Sequence, residues 1–187
     1  SYGARGKTPR NTGRNTHCWP LKAGKGSAYE GGTRVPMIVS WARPNAANPR
    51  QKKIPIAAAS ICDLPNICED YYPTLCNWAG ISDLLAGRED VDGRDLTGDV
   101  TGEPPKITPP LLFHYPHVWG PRGPGYEPHS SIRFGDWKAI YFYQPQRWEL
   151  YNLKDDLGEA KNLASTSPER LKELSDRMKI EHDRRGA

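Results

Sequence analysis

Two alternating runs, Ser131 to Phe134 and Trp137 to Tyr143, stand on either side of Gly135-Asp136. That dipeptide is a two-residue hairpin signal, because such turns need a backbone that Gly and Asp adopt readily. The arrangement commits the second half of the chain to antiparallel strand pairing. Leu111 to Tyr115 and Trp148 to Leu153 read as further strands of the same region. A helix then closes the sequence. Ser167 stands at its N-cap, Pro168 in its first turn and Glu169 at the positive end of its dipole, with Leu171, Leu174 and Met178 on one face. An apolar stripe that narrow suits a surface helix packed on a sheet.

The first half is less regular. Residues 1 to about 34 form a polar, Gly-rich loop, and Val35 to Trp41, bounded by Pro36 and Pro44, predicts a buried strand. A helix is expected over Leu64 to Ala79, interrupted at Pro73 and capped by Gly80. From Ser82 to Pro110 the chain is acidic and rich in Gly and Pro, which marks a long surface connection. It divides the sequence into residues 1–100 and 101–187.

Hydrophobic residues at 36% and charged residues at 26%, with 18 Gly and 18 Pro, describe a loop-rich globular protein rather than a disordered one. A net charge of +4 with interspersed signs leaves a nucleic-acid reading only the basic opening of Arg5, Lys7, Arg10 and Arg14. No nucleic-acid partner is expected. No apolar run is long enough for a membrane span and no charged-then-apolar leader is present. Cys18, Cys62, Cys68 and Cys76 lack the paired spacing of a zinc site, so they are expected to be small buried hydrophobes. The start at Ser1 leads us to expect a piece of a longer protein, in which Val35 to Trp41 lacks its partner strands and leaves its apolar faces exposed or poorly packed.

Gly24-Lys25-Gly26 is the first segment with chemical promise. Two flanking glycines clear space around a lysine that can serve as a point charge on an oxyanion. The spacing is not that of a phosphate-binding P-loop. The wider block, Pro20-Leu21-Lys22-Ala23-Gly24-Lys25-Gly26-Ser27-Ala28-Tyr29-Glu30-Gly31-Gly32-Thr33-Arg34-Val35-Pro36, closely resembles the sulfatase signature P-L-R-x-G-K-G-x-x-Y-E-G-G-x-R-V-P. Asp70-Tyr71-Tyr72-Pro73-Thr74-Leu75, Ala79-Gly80 and Asp92-Gly93 follow in the same family order. Leu112 to His117, Ser131 to Lys138, Glu149 to Asp156, Gly158-Glu159 and Asn162-Leu163-Ala164 resemble C-terminal blocks of sulfatases of the arylsulfatase and N-acetylgalactosamine-6-sulfatase types. Lys22 and Ala23 depart from the pattern, standing where Arg and Gly are common.

The resemblance implies the C-terminal part of an alkaline-phosphatase-like sandwich: a segment of the catalytic α/β domain, then a small antiparallel-sheet subdomain and a terminal helix. It implies a sulfate-ester hydrolase acting on a sulfated carbohydrate, with a formylglycine nucleophile and a Ca2+ ion. A formylglycine-generating maturation system and periplasmic or secreted localisation come with it. Among the core catalytic residues only Lys25 carries over, as the cation on a sulfate oxygen. The C/S-x-P-x-R motif that makes formylglycine is not completed here, since Cys18 is followed by Trp19-Pro20-Leu21 without the arginine. Cys18 is therefore not read as a nucleophile. The family's calcium ligands are also missing from these residues, so the 187-residue chain alone is expected to be inactive.

His114 and His117 bracket Tyr115-Pro116 at the end of a strand, near Trp119, and two uses remain open for them. They form a sugar-binding rim, or they brace the subdomain. His129 and His182 are read as structural. Asp155, Asp156 and Glu159 are read as a solvated turn, and Glu30 with Arg34 as a structural pair holding the lysine loop. Two other functions stay open: a non-catalytic carbohydrate-binding or scaffold piece, and a phosphatase or phosphodiesterase of the same superfamily.

Overall fold

The structure, a computed structural model, describes residues 18–118 and 123–186. The basic opening stretch and Trp119 lie outside the described residues. In chain order the elements are helices α1 (Glu30–Thr33), α2 (Pro49–Lys53), α3 (Tyr71–Ala79) and α4 (Thr97–Thr101), strands β1 (Leu111–Tyr115), β2 (His129–Phe134), β3 (Trp137–Phe142) and β4 (Arg147–Asn152), and helix α5 (Pro168–Arg185). Contacts gather them into two compact units, Pro36–Leu111 and a discontinuous one that joins the stretch ending at Val35 to everything from Leu112 onward.

In the discontinuous unit, β1 to β4 form a four-stranded sheet in sequential order. The β2–β3 hairpin pairs His129 with Phe142 through to Phe134 with Trp137, and Gly135 takes φ +58 at its tip. Strand alternation sorts the side chains onto two faces. Ile132, Ala139 and Leu150 meet Leu174 and Met178 of α5 on one face, and Ile140, Phe142, Tyr151 and Leu153 meet Ala28 and Tyr29 on the other. The sheet is thus the middle layer between α5 and the N-terminal loop. Cationic side chains of α5 extend the first contact, with the Arg177 guanidinium 4.0 Å from the centre of the Phe134 ring. Ser167 holds the N-cap position, but its side chain makes no capping hydrogen bond; Pro168 at N1 starts the helix without one.

The other unit corrects several expectations. Val35 to Trp41 contains no strand; Val35 is 76% and Ile38 91% exposed, because an extended segment becomes a strand only beside another edge. The helix expected from Leu64 begins later, as a 3-10 turn at Cys68–Asp70 followed by α3. Pro73 sits in the first turn of α3, where its missing N–H costs no hydrogen bond, so it does not interrupt the helix. Gly80 ends α3 at φ +76, as its sequence position suggested. The stretch after Ser82 is more than a connection. Arg94 forms a bidentate pair with Asp99 at 2.7 Å, and the Asp70 carboxylate accepts the N–H groups of Ile67 and Arg94. Of the cysteines Cys76 is buried, Cys18 is partly covered, and Cys62 and Cys68 are exposed, contrary to a common buried role.

Candidate functional site: the lysine loop and its buried anchor

The segment from Lys22 to Gly31 is a closed loop, its ends joined by the Gly31 N–H donating to the Lys22 carbonyl at 3.0 Å. Gly26 at φ +89 and Ala23 at φ +60 turn the chain, and Ala23 holds a left-handed conformation that L side chains adopt at a cost of roughly 1–2 kcal/mol. Lys25 lies between buried Gly24 and buried Ser27 yet is itself exposed. The Gly31-Gly32 pair is explained by close packing, since added Cβ atoms would fall 2.3 Å from the Lys22 carbonyl oxygen and 2.1 Å from that of Ser27. Gly32→Ala is expected to lower stability by roughly 1–3 kcal/mol, the range for overpacking, read from the denaturant midpoint.

Beneath the loop, Tyr29 and Tyr151 both donate to Glu149 Oε2, at 2.8 and 2.7 Å. Burial and the Glu149 charge push both phenols well above their ordinary range. Lys22 Nζ rests 3.8 Å above the centre of the Tyr29 ring and donates to Tyr151 Oη and to the Glu159 carbonyl. Burial draws the Lys22 ammonium below its usual value, against the pull of Glu149. The sequence reading took Glu159 for part of a solvated turn; it is fully buried, at 0% exposure and φ +52.

Three separate blocks of sequence converge on one ion cluster. Lys138, 1% exposed, places Nζ 2.9 Å from Glu30 Oε1 and 3.1 Å from Glu159 Oε1. Glu159 Oε2 accepts the Glu30 N–H at 2.6 Å. Arg34 and Arg133 each stand 3.6 Å from Glu30 Oε2, so the expected Glu30–Arg34 pair is present but is the outer edge of a larger cluster. Two carboxylates share one buried ammonium, and burial pushes the Glu159 carboxyl up. In the sequence Lys138 simply closes the Ser131 to Lys138 block. Strand alternation from Ile140 and Phe142 puts it on the loop-facing side, a signal that was available.

Lys25 makes no hydrogen bond or ion pair among the described residues, which leaves its ammonium open to a ligand. His114 is exposed on β1, with Nδ1 2.7 Å from Ser130 Oγ and its ring 4.8 Å from that of His182. His117 is exposed just past β1, edge-on to Tyr115 at 5.9 Å. His129 is buried and donates from Nδ1 to the Glu127 carbonyl at 2.8 Å. Cys18-Trp19-Pro20-Leu21-Lys22 has the cysteine and proline of C/S-x-P-x-R, but its final cation is the Lys22 that anchors the loop. Among the described residues no group of three or more His, Cys, Asp or Glu side chains could hold a metal ion.

Burial lowers His129 from its ordinary value of 6.5. The unfolded chain then binds a proton that the folded site refuses, so this contribution costs stability as pH falls below about 6.5 and vanishes above it. The denaturant midpoint of the native chain is expected to fall between about pH 7.5 and about pH 5 more steeply than that of a His129→Asn variant.

The layered sheet, the terminal helix and the glycine-rich lysine loop define a class: residues 24–184 match the family model described as N-sulphoglucosamine sulphohydrolase, C-terminal. The chain belongs to that family. A protein named sulfatase from Formosa agariphila is 31% identical over 160 residues, which are 80% of this chain and 26% of that one. Mouse steryl-sulfatase is 31% identical over 126 residues, 65% of this chain and 17% of that one. The chain thus spans about a quarter or less of the curated relatives it matches. Among solved structures, Ps i-CgsB in complex with k-i-k-neocarrahexaose has 27% identity and a TM-score of 0.62, covering 87% of this chain and 32% of that one. BT4656 in complex with its substrate D-glucosamine-2-N,6-O-disulfate has 25% identity and a TM-score of 0.52, covering 63% and 24%. The fold is accordingly mixed α/β of the alkaline-phosphatase-like sulfatase class, here its C-terminal part. No described helix is long and apolar enough to cross a membrane.

Proposed function

We propose that the whole protein hydrolyses sulfate esters on a carbohydrate, with the ammonium of Lys25 on a sulfate oxygen. The observation that carries this reading is an exposed Lys25, without an ion-pair partner among the described residues, in a loop whose base is fixed by a buried ion cluster. A fixed cation aimed at a leaving oxygen lowers the barrier most where it need not reorganise. Membership of the family and the sulfated glucosamine bound by BT4656 support the substrate class. His117 and His114 are assigned to the sugar rim, where imidazole edges can meet hydroxyl groups. Residues 1–100 would then close the catalytic domain, and 101–187 would form its C-terminal subdomain.

In this reading the formylglycine nucleophile and Ca2+ are supplied by sequence beyond these residues, matured by a formylglycine-generating system, and the protein is exported to the periplasm or secreted. The test is sulfate release from 2-, 4- and 6-sulfated sugars by the whole matured protein beside the 187-residue chain. Release by the first and none by the second is the expected result. Sugar binding without release would instead make the protein a carbohydrate-binding scaffold.

A further inference from the structure

We infer that Glu159 is the positioning residue of Lys25, a clamp that holds both feet of the lysine loop at once. The inference rests on the reading of Lys25 as the sulfate-binding cation. One foot is Glu30, whose N–H donates to Glu159 Oε2 at 2.6 Å. The other is Lys22, whose Nζ donates to the Glu159 carbonyl at 3.0 Å. The feet are also joined to each other through Gly31 N–H and the Lys22 carbonyl, so Glu159 closes a ring of contacts beneath the exposed turn. A third contact, Glu159 Oε1 to Lys138 Nζ at 3.1 Å, fixes the clamp to β3.

Two further features single out Glu159 from the other buried polar groups. It sits at φ +52, where an L side chain is strained, and it is wholly buried, so its carboxylate is kept in a costly place by its partners. The surrounding turn is fixed independently, because Asp156 accepts the N–H groups of Ala160 and Lys161. Side-chain and main-chain acceptors of one rigid residue thus set where the ends of the 22–31 loop lie, and with them where Lys25 stands. Misplacement of a reacting group by about 1 Å can cost on the order of a hundredfold in rate.

The test uses the whole protein with Glu159→Gln and Lys22→Met, each alone and combined with Lys25→Ala. Lys22→Met releases one foot without stranding a buried charge, and so serves if Glu159→Gln folds poorly. Amide exchange in peptides spanning 22–31 is expected to quicken about tenfold or more in both variants, with exchange in α5 unchanged. Turnover at saturating sugar should fall about 10- to 100-fold in each single variant, yet by less than about twofold when the variant is added to Lys25→Ala. Equal losses in both backgrounds, or unchanged exchange in 22–31, would overturn the clamp. If the native protein releases no sulfate, the functional reading fails, and exchange in 22–31 still decides whether Glu159 fixes the loop.

Discussion

Lys138→Met is expected to lower the stability of the unit that carries the sheet by about 3–5 kcal/mol, the range for breaking a buried ion pair from one side. Its ammonium is 1% exposed and stands within 3.1 Å of two carboxylates that are themselves 2% and 0% exposed. Removing it leaves Glu30 and Glu159 facing each other in a poorly solvated site. Glu30 keeps Arg34 and Arg133 at 3.6 Å, but Glu159, whose carboxyl burial already pushes up, loses the cation that offsets its charge. For a chain of this size the loss corresponds to roughly 10 °C in the thermal midpoint. Lys172→Met is the control: its pair with Asp176 lies on the surface of α5, with the lysine 76% exposed, so its loss should leave the unfolding midpoint nearly unchanged. Thermal or denaturant unfolding of the two variants side by side reads the difference. Equal midpoints would show that the buried cluster contributes no more than a solvated pair.

Lys25→Ala in the whole protein is expected to reduce the turnover of sulfated sugar by about a hundred- to a thousandfold, the range for removing one fixed donor from developing charge. Stability should stay within about 0.5 kcal/mol, because the side chain is exposed and makes no hydrogen bond or ion pair among the described residues. That separation makes the result readable: turnover falls while the unfolding midpoint holds. Sulfate release measured together with thermal unfolding checks both halves. A Lys25→Ala protein as active as the native one would remove this lysine from the reaction.

The two lysines differ in how far the sequence disclosed them. Lys25 stood out at once, because flanking glycines and a long ordered signature surround it. Lys138 did not, because a lysine in an alternating strand usually reaches solvent, and only a charged partner from a distant part of the chain makes burial tolerable. Glu159 was misread for the same reason. Asp155, Asp156 and Glu159 look alike in a polar turn, yet of the three Glu159 is the buried one and accepts the Glu30 N–H beneath the loop. Val35 to Trp41 divides: composition predicts a strand, which does not form, whereas the expectation that its apolar side chains are left exposed agrees with Val35 and Ile38.

By itself the sequence determined what local chemistry controls. The Gly135-Asp136 turn set the β2–β3 hairpin and its alternation, and Gly80 and Pro168 set helix limits. The tertiary structure alone decided that residues 18–35 belong with the sheet from Leu112 onward, and that Glu30, Lys138 and Glu159 meet. The physical reason is distance along the chain. Turn and cap preferences act over a few residues, whereas a buried ion cluster forms only when a fold brings together charges separated by 108 residues and shields them from water.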